Sequence, residues 1–232
     1  ANEDALFALD FVPFLASSFE ESDKLWKAAR PVLEKVMDKH NLVLLYSVPW
    51  PPGGIYANKP LERLSDMEGV KFRSYNNATA RFAELAGAVP VQVEASELSQ
   101  ALSTGVAESF MSSGATGYDR KVWEQLGYYY KVNAWLPRNY VMVNKQVWDG
   151  LSADTQAAIQ KAADETGAAC TAKSEELANW YFEQLEANGM KVVEAGPEFR
   201  AELEAIGAKM TDEWLATVGE DGQDIVDAFK AN

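Results

Sequence analysis

The most informative segment of this 232-residue sequence is LSDMEGVKFR, residues 64–73. A polar turn containing Gly69 leads into a short alternation in which the apolar residues Val70 and Phe72 are each followed by a basic residue. This period of two predicts a β-strand with Phe72 on one face and Arg73 on the other. Arg73 closes the strand, and open α/β sheets bind their ligands at the carboxyl ends of strands.

The next residues, SYNNAT at 74–79, are typical of a helix amino terminus, with Asn76 in its opening turn. Free backbone N–H groups and the helix dipole attract an anion there. The planar guanidinium of Arg73 can hold a carboxylate through two hydrogen bonds. The pattern therefore predicts a carboxylate site that includes Arg73 and Asn76, although an arginine in this position also fits an ordinary surface ion pair.

Segments rich in β-branched and aromatic residues alternate with helical patterns along the chain, which predicts a mixed α/β fold. The predicted strands are residues 42–48, 70–75, 89–93, 107–112, 141–144 and 191–194. The predicted helices are residues 22–39, 77–86, 96–104, 118–125, 152–187, 198–218 and 222–230. Pro31 is expected to kink or split the first helix.

The helix predicted from Ser152 is unusually long. Ser152 is a favourable N-cap, and the pair Asn188-Gly189 supplies the stop after about residue 187. A helix of about 35 residues is about three times the usual length, and at about 1.5 Å per residue it would span both lobes of a small protein.

The charge balance excludes several classes of partner. The chain has 35 acidic and 21 basic residues and a formal net charge of −14, so its surface would repel nucleic-acid phosphates and anionic lipid. Its apolar runs are shorter than the roughly 20 residues that span a bilayer. The amino terminus lacks the features of a signal peptide, so it is mature, trimmed or missing its true start.

Most catalytic and metal-binding chemistry lacks an anchor in this sequence. The one histidine, His40, follows a predicted helix and is expected at a solvated helix terminus. The one cysteine, Cys170, lies among alanines on the long helix and is expected to be a buried, inert thiol. No nucleophile elbow or phosphate-binding glycine motif occurs, and we predict no cofactor and no metal.

Three motifs in order carry a family resemblance: LSDMEGVKFR is followed by GAVP at residues 87–90 and ELSQALSTGV at 97–106. This arrangement resembles the characteristic block of the DctP-like solute-binding proteins of tripartite ATP-independent periplasmic (TRAP) transporters. The similarity continues through Trp123 and the long helix, so it covers essentially the whole chain. Family members are longer at the amino end, so this chain is expected to lack their opening quarter.

The resemblance implies a two-lobed, periplasmic-binding-protein-like α/β fold with discontinuous lobes, crossover strands and one long lobe-spanning helix. Lobe I is expected to contain residues 1–50 and 138–177 and to be incomplete at its amino end. Lobe II is expected to contain residues 51–137 and 178–232 and to carry the carboxylate-binding arginine.

The resemblance also implies roles for individual residues. In the family, the arginine that closes this strand grips the substrate carboxylate, and by position it is Arg73. An asparagine on the strand after the Ala-Leu helix often helps, and its place falls on Ser112, with Ser113 as the neighbouring choice. Segments that line the cleft in similar proteins carry four aromatic residues here, each of which also fits a core position: Trp50, Tyr56, Phe110 and Trp135.

The predicted function is capture of a small organic carboxylate in a periplasmic inter-lobe cleft, without catalysis. The small and large membrane subunits of a TRAP transporter would be its partners, and an ion gradient would drive uptake. Some members have a second arginine after the crossover, where this chain has PGGIY at 52–56. This difference and the aromatic residues favour a monocarboxylate with an apolar or aromatic body, or a small keto acid.

Three alternatives stay open. The first is a C4-dicarboxylate binder of the same family. The second is a small enzyme that uses Glu94, Glu97 or Glu108 as acid or base, although no nucleophile–base pair accompanies them. The third is an interaction module or a binding protein of another transporter type, because the fold alone does not specify function.

Overall fold

A computed structural model describes residues 4–231 and confirms the mixed α/β fold. The strands are β1 Leu42–Pro49, β2 Gly53–Ala57, β3 Lys71–Ser74, β4 Val89–Gln92, β5 Ser109–Ser113, β6 Tyr128–Tyr130, β7 Arg138–Asn144 and β8 Lys191–Val193. The α-helices are α1 Phe19–Lys39, α2 Asn77–Leu85, α3 Leu98–Ser103, α4 Gly114–Asp119, α5 Lys145–Asp149, α6 Ala153–Ala187, α7 Pro197–Val218 and α8 Glu220–Ala231. Short 3₁₀ helices cover Ala5–Phe11, Leu64–Met67, Ala95–Glu97 and Val122–Glu124.

The described strands form two sheets. The large sheet has the strand order β4-β3-β5-β2-β6-β8, and the small sheet pairs β1 with β7 in antiparallel fashion. In the large sheet, β3 runs parallel to β4 and β5, whereas β2 runs antiparallel to β5 and β6. The carboxyl ends of β3 and β5 therefore meet the start of β2 at one edge of the large sheet.

The chain crosses between the sheets twice at that edge. Pro49 ends β1 and Gly53 begins β2, and the return path runs from β6 to β7. The two crossings lie side by side: the Trp50 amide donates to the Pro137 carbonyl at 2.8 Å, and the Gly53 amide donates to the Trp135 carbonyl at 2.9 Å. These two crossings are therefore short and hydrogen-bonded to each other, whereas a third connection, from β7 to β8, runs through α5 and the long helix α6.

Three apolar cores stabilise this arrangement. Two lie on opposite faces of the large sheet, because neighbouring residues of one strand point to opposite sides: Ile55 packs in one core and Tyr56 in the other. The third core joins α1 to the small sheet through residues such as Leu33 and Leu44. Each sheet thus has its own apolar packing.

The long helix is confirmed as α6, Ala153–Ala187, with Ser152 as its N-cap. The hydroxyl of Ser152 accepts a hydrogen bond from the Thr155 amide at 3.3 Å. Along its length, α6 packs against β1 of the small sheet and against α4 and β8 on the large-sheet side. At about 1.5 Å per residue, it extends about 50 Å, which is enough to reach both sheets.

The carboxyl-terminal helices, which fall within residues 178–232 predicted for lobe II, pack against the cores of both sheets. Helix α7 begins in a core of the large sheet with Phe199 and Leu203, but Trp214 near its end packs in the core of the small sheet. In α8, Ile225 and Val226 belong to that same small-sheet core and pack against α1. The reason is geometric: a 22-residue helix is about 33 Å long and carries the chain from one core to the other. The lobe boundaries stay a prediction.

Several predicted elements are wrong in detail. Strands β2 and β6 are absent from the prediction: β2 begins with two glycines after Pro51 and Pro52, a pattern typical of a loop, and β6 is only three residues long. The helix expected at 118–125 is instead the end of α4 and a separate 3₁₀ turn, since Lys121 adopts a left-handed φ of 50°. Helix α1 continues through Pro31 without a split, with buried Ala29 and Leu33 on either side of it, and the alternative of a kink stays a prediction.

The predictions for His40 and Cys170 have different outcomes. His40 is exposed and caps the carboxyl end of α1, which confirms the predicted helix terminus. Cys170 was expected to be buried but is only partly so. It lies on the side of α6 that borders a groove beside the first crossing, and this groove leaves its surface incompletely covered.

A polar network joins the small sheet to α1 and to the first 3₁₀ helix. Arg138, at the start of β7, donates from Nη1 to the Ser47 hydroxyl at 3.0 Å and from Nη2 to the Ser22 carbonyl at 3.0 Å. Two residues along the strand, the Tyr140 hydroxyl donates to the carboxyl of Asp10. Burial raises the pKa of Asp10 to about 6, although the hydrogen bond from Tyr140 and the charge of Arg138 act in the opposite direction.

Gly54→Ala is expected to destabilise the fold. A Cβ at this position would lie 2.4 Å from the Tyr130 carbonyl oxygen and 2.4 Å from the Tyr129 ring. We expect the free energy of unfolding in urea to fall by about 1–3 kcal/mol, the usual cost of overpacking. Gly127→Ala is the control, since its Cβ would meet nothing within 4 Å. An equal loss in both variants would contradict this account.

Asp10 is expected to make stability fall as pH rises from about 4 to about 6. In this range the folded protein keeps a proton on Asp10, whose pKa is raised to about 6, while the unfolded chain has released it. Asp10→Asn removes this titration. Urea unfolding of both proteins should show the variant gaining about 1–3 kcal/mol relative to the wild type between these pH values. A pH-independent difference would argue against this interpretation.

Candidate functional site

A cavity of about 410 Å³ opens where the two crossings meet the edge of the large sheet. The large sheet contributes Arg73 from β3 and the two serines that end β5. The crossings contribute Trp50 and Trp135, and β7 of the small sheet contributes Asn139. Pockets of about 300–1,000 Å³ hold small molecules, so this cavity suits a ligand at the small end of that range.

Arg73 lies against the wall of this cavity and is only 4% exposed. Its Nε donates to the Val93 carbonyl at 2.9 Å, which holds the side chain between β3 and the segment after β4. Its guanidinium carbon lies 4.4 Å from the centre of the Tyr75 ring, within cation–π range. Strand, carbonyl and ring together fix the orientation of the guanidinium.

The charge of Arg73 has no carboxylate partner within salt-bridge distance in residues 4–231. Burial lowers the pKa of Arg73 from its ordinary value, and the positive charge of Arg120 acts in the same direction. An arginine nevertheless stays protonated in proteins. An anion in the cavity would stabilise such a buried cation by accepting hydrogen bonds from its remaining N–H groups.

The two serines extend this polar wall. β5 runs parallel to β3, with Phe110 opposite Arg73, so the end of β5 comes close to the arginine. The Ser112 hydroxyl lies 2.7 Å from the Thr116 hydroxyl, and both residues line the cavity. Ser113 also lines it and is 5% exposed. The structure thus brings both predicted serines to the same cavity as Arg73.

Two of the four predicted aromatic residues line the cavity. Trp50 is 43% exposed in the first crossing, whereas Trp135 is almost fully buried in the second. A Cβ on Gly53 would lie 2.9 Å from Nε1 of Trp135, so glycine allows this close approach of indole and backbone. Phe11 packs edge-on against Trp135 and completes the apolar wall.

Tyr56 and Phe110 lie elsewhere, in the core on one face of the large sheet. Both are fully buried, and their rings stack with centroids 4.4 Å apart because the two residues are paired across β2 and β5. The Tyr56 hydroxyl donates to the Ser113 carbonyl at 2.8 Å, and Gly117 of α4 lies directly against it. Helix α4 therefore covers Tyr56, which keeps both rings out of the cavity lining.

Asn76 also does not line the cavity. It is the N-cap of α2, and its side-chain oxygen accepts a hydrogen bond from the Thr79 amide at 2.8 Å. The helix terminus that was expected to receive an anion is therefore capped by the chain itself. The cavity is instead lined by the preceding residue, Tyr75, whose pKa burial raises to about 12.

Sequence reasoning missed several residues of the cavity. Asn139 lies just beyond the second crossing, and Asp119 and Arg120 stand at the end of α4. The last two were placed inside a helix at 118–125, whereas α4 ends at Asp119 and leaves both exposed at the cavity. For Asn139, the available sequence signal was its position two residues after Pro137 in the second crossing.

Residues 4–231 contain no group of three or more histidine, cysteine or acidic side chains arranged to hold a metal ion. None of the helices within that range combines the length and apolar character needed to span a bilayer.

Comparison with solved structures shows close likeness over the whole chain. A marine metagenome TRAP solute-binding protein, described as specific for pyroglutamate, is 63% identical and superposes with a TM-score of 0.95 over 100% of this chain and 76% of its own. DctP6 of Bordetella pertussis, described as an extracytoplasmic solute receptor binding pyroglutamic acid, is 45% identical with a TM-score of 0.96 over 100% of this chain and 77% of its own. The two-lobed binding-protein fold is thereby confirmed.

A more distant relative is the C4-dicarboxylate-binding periplasmic protein DctP of Rhodobacter capsulatus. It is 29% identical over 90% of this chain, which spans 63% of the length of that relative. The profile of the family described as bacterial extracellular solute-binding protein, family 7 (DctP), matches residues 5–217. The chain therefore belongs to family 7 of the bacterial extracellular solute-binding proteins, as the motif around Arg73 predicted.

Proposed function

We propose that this chain is the solute-binding subunit of a TRAP transporter and that it captures a small monocarboxylate of the pyroglutamate type. The observation that carries this proposal is the buried Arg73, which has no carboxylate of the described chain within salt-bridge distance, in a cavity between two sheets. A ligand carboxylate would supply the opposite charge. Ser112 would add a neutral hydrogen bond beside it.

The size and lining of the cavity support a compact ligand. Its volume of about 410 Å³ is small, and indole and phenyl rings of Trp135 and Phe11 cover one side of it. A flat ring with one carboxylate fits this division into a charged and an apolar wall. Two solved relatives at 63% and 45% identity, both described with pyroglutamate, support the same ligand class.

A C4-dicarboxylate is the second candidate, since the Rhodobacter capsulatus relative is named for that ligand. A second carboxylate would need a second cation. Arg138 lines the cavity but directs its guanidinium to Ser22 and Ser47, and the other lining arginine, Arg120, is exposed to solvent rather than buried as Arg73 is. These placements favour a ligand with one negative charge.

The residues that line the cavity support binding without catalysis. The hydroxyls of Ser112 and Thr116 bond to each other, and the described lining residues supply no histidine or cysteine to activate them. Glu94, Glu97 and Glu108, considered above as acids or bases, are not among those lining residues. Product analysis after prolonged incubation with organic acids is the direct check.

The proposed mechanism uses the two crossings. A ligand held by Arg73 on the large sheet and by residues of the small sheet would stabilise the arrangement in which both sheets enclose it. The enclosed shape would be recognised by the small and large membrane subunits of the transporter. We propose a periplasmic location on the basis of the relatives, which are described as periplasmic or extracytoplasmic.

Arg73→Ala is expected to abolish most of the affinity for pyroglutamate, by a factor of about 100 or more, because it removes a buried charge-assisted pair. Arg73→Lys should also weaken binding, since an ammonium group does not reproduce the planar fork. Isothermal titration calorimetry measures both. Arg30→Ala is the control, because Arg30 pairs with Glu34 on α1 and lies outside this cavity. Affinity of Arg73→Ala near that of the wild type would overturn the proposed function.

Tyr75→Leu is expected to lower the affinity about 3- to 30-fold, because the ring 4.4 Å from the Arg73 guanidinium carbon helps to orient that charge. Tyr75→Phe keeps the ring and should bind within about twofold of the wild type. The same calorimetric titration compares the two variants. Equal losses in both would show that the hydroxyl, and not the ring, is what matters.

A further inference from the structure

A hydrogen-bonded pair of side chains lies on the cavity at the crossings. The indole Nε1 of Trp50 donates to Oδ1 of Asn139 at 3.1 Å. Trp50 belongs to the first crossing and Asn139 to β7, where it is paired with Val48 of β1. Both side chains line the cavity that contains Arg73. The pair therefore presents a fixed polar group to any ligand from the small-sheet side.

The partner of Asn139 determines which way its amide points. An indole N–H is a donor only, so the Asn139 atom that faces it must be the oxygen. Asn139 is exposed, and within residues 4–231 no hydrogen bond uses its Nδ2 group. Two N–H donors and one lone pair of Oδ1 are thus available at the cavity.

A neutral donor–acceptor group of this kind matches an amide better than any other small functional group. An amide carbonyl can accept from Nδ2, while an amide N–H can donate to the free lone pair of Oδ1. A second carboxylate could use only the donors and would be repelled by the partial negative charge of Oδ1.

We propose that Asn139, oriented by Trp50, is a specificity-determining residue that recognises an amide on a ligand whose carboxylate is held by Arg73. This inference rests on the proposed function and deepens it. The substrate class becomes small acids that carry an amide, of which a five-membered lactam carboxylate is the simplest ring form. Trp50 acts as a positioning residue, because it works through Asn139.

Two ligands of equal ring size test this assignment. Pyroglutamate has the carboxylate and the ring amide, whereas cyclopentanecarboxylate has the carboxylate and ring without the amide. Calorimetry on the wild-type protein should show a preference for pyroglutamate of about 10- to 100-fold, as expected for two hydrogen bonds that cyclopentanecarboxylate cannot make. Asn139→Ala should reduce pyroglutamate affinity by about that factor and change cyclopentanecarboxylate affinity by less than about threefold.

Trp50→Phe tests the positioning role. The variant keeps an aromatic ring in the crossing and loses the N–H that holds Oδ1. Pyroglutamate affinity should fall about 3- to 10-fold, with little change for cyclopentanecarboxylate. Because both residues act through one amide, the double variant with Asn139→Ala should lose no more selectivity than Asn139→Ala alone. Additive losses would overturn the positioning role.

The outcomes separate this inference from the proposed function. Wild-type protein that binds neither acid would overturn both. Wild-type protein that prefers pyroglutamate, together with an Asn139→Ala variant that keeps the preference, would overturn the inference alone. Asn139→Asp is the nearly isosteric second variant in case the alanine variant unfolds, and it should lose the preference because it lacks Nδ2. Asn58→Ala, at an exposed asparagine outside the cavity, is the control.

Discussion

The proposed site depends on one buried positive charge, that of Arg73. Arg73 is buried at the end of a central strand, and its immediate contacts are a backbone carbonyl and the Tyr75 ring. Both orient the guanidinium without neutralising it. The desolvation cost of the cation is therefore left for an incoming anion to offset, which converts a packing feature of one strand into a recognition site.

This local charge has to act against the field of the whole molecule. A formal net charge of −14 repels anionic solutes at long range. At physiological ionic strength such repulsion is screened beyond about 8 Å, whereas a charge inside a cavity is screened much less. The acidic surface can thus coexist with an anion site, because Arg73 acts on a solute only after it has entered.

In the proposed site, the wall opposite Arg73 would provide selectivity. The arginine would recognise what all carboxylates share, whereas the small-sheet side would meet the part of the ligand that differs between solutes. There, Trp50 and Asn139 come together because the two crossings run side by side through backbone hydrogen bonds. General affinity and particular specificity would therefore come from separate sheets, so a ligand that satisfies both would bridge them.

The sequence by itself determined the α/β fold, the long helix that begins after Ser152, the short strand that carries Arg73 and the family to which the chain belongs. These features depend on local periodicity, caps and a motif of fixed spacing. Only the tertiary structure decided that Tyr56 packs in a core and that Asn139 lies at the cavity. Helix α4 buries Tyr56, and the crossings leave Asn139 at the cavity. Both outcomes depend on packing between segments far apart in the chain, which a local sequence pattern does not record.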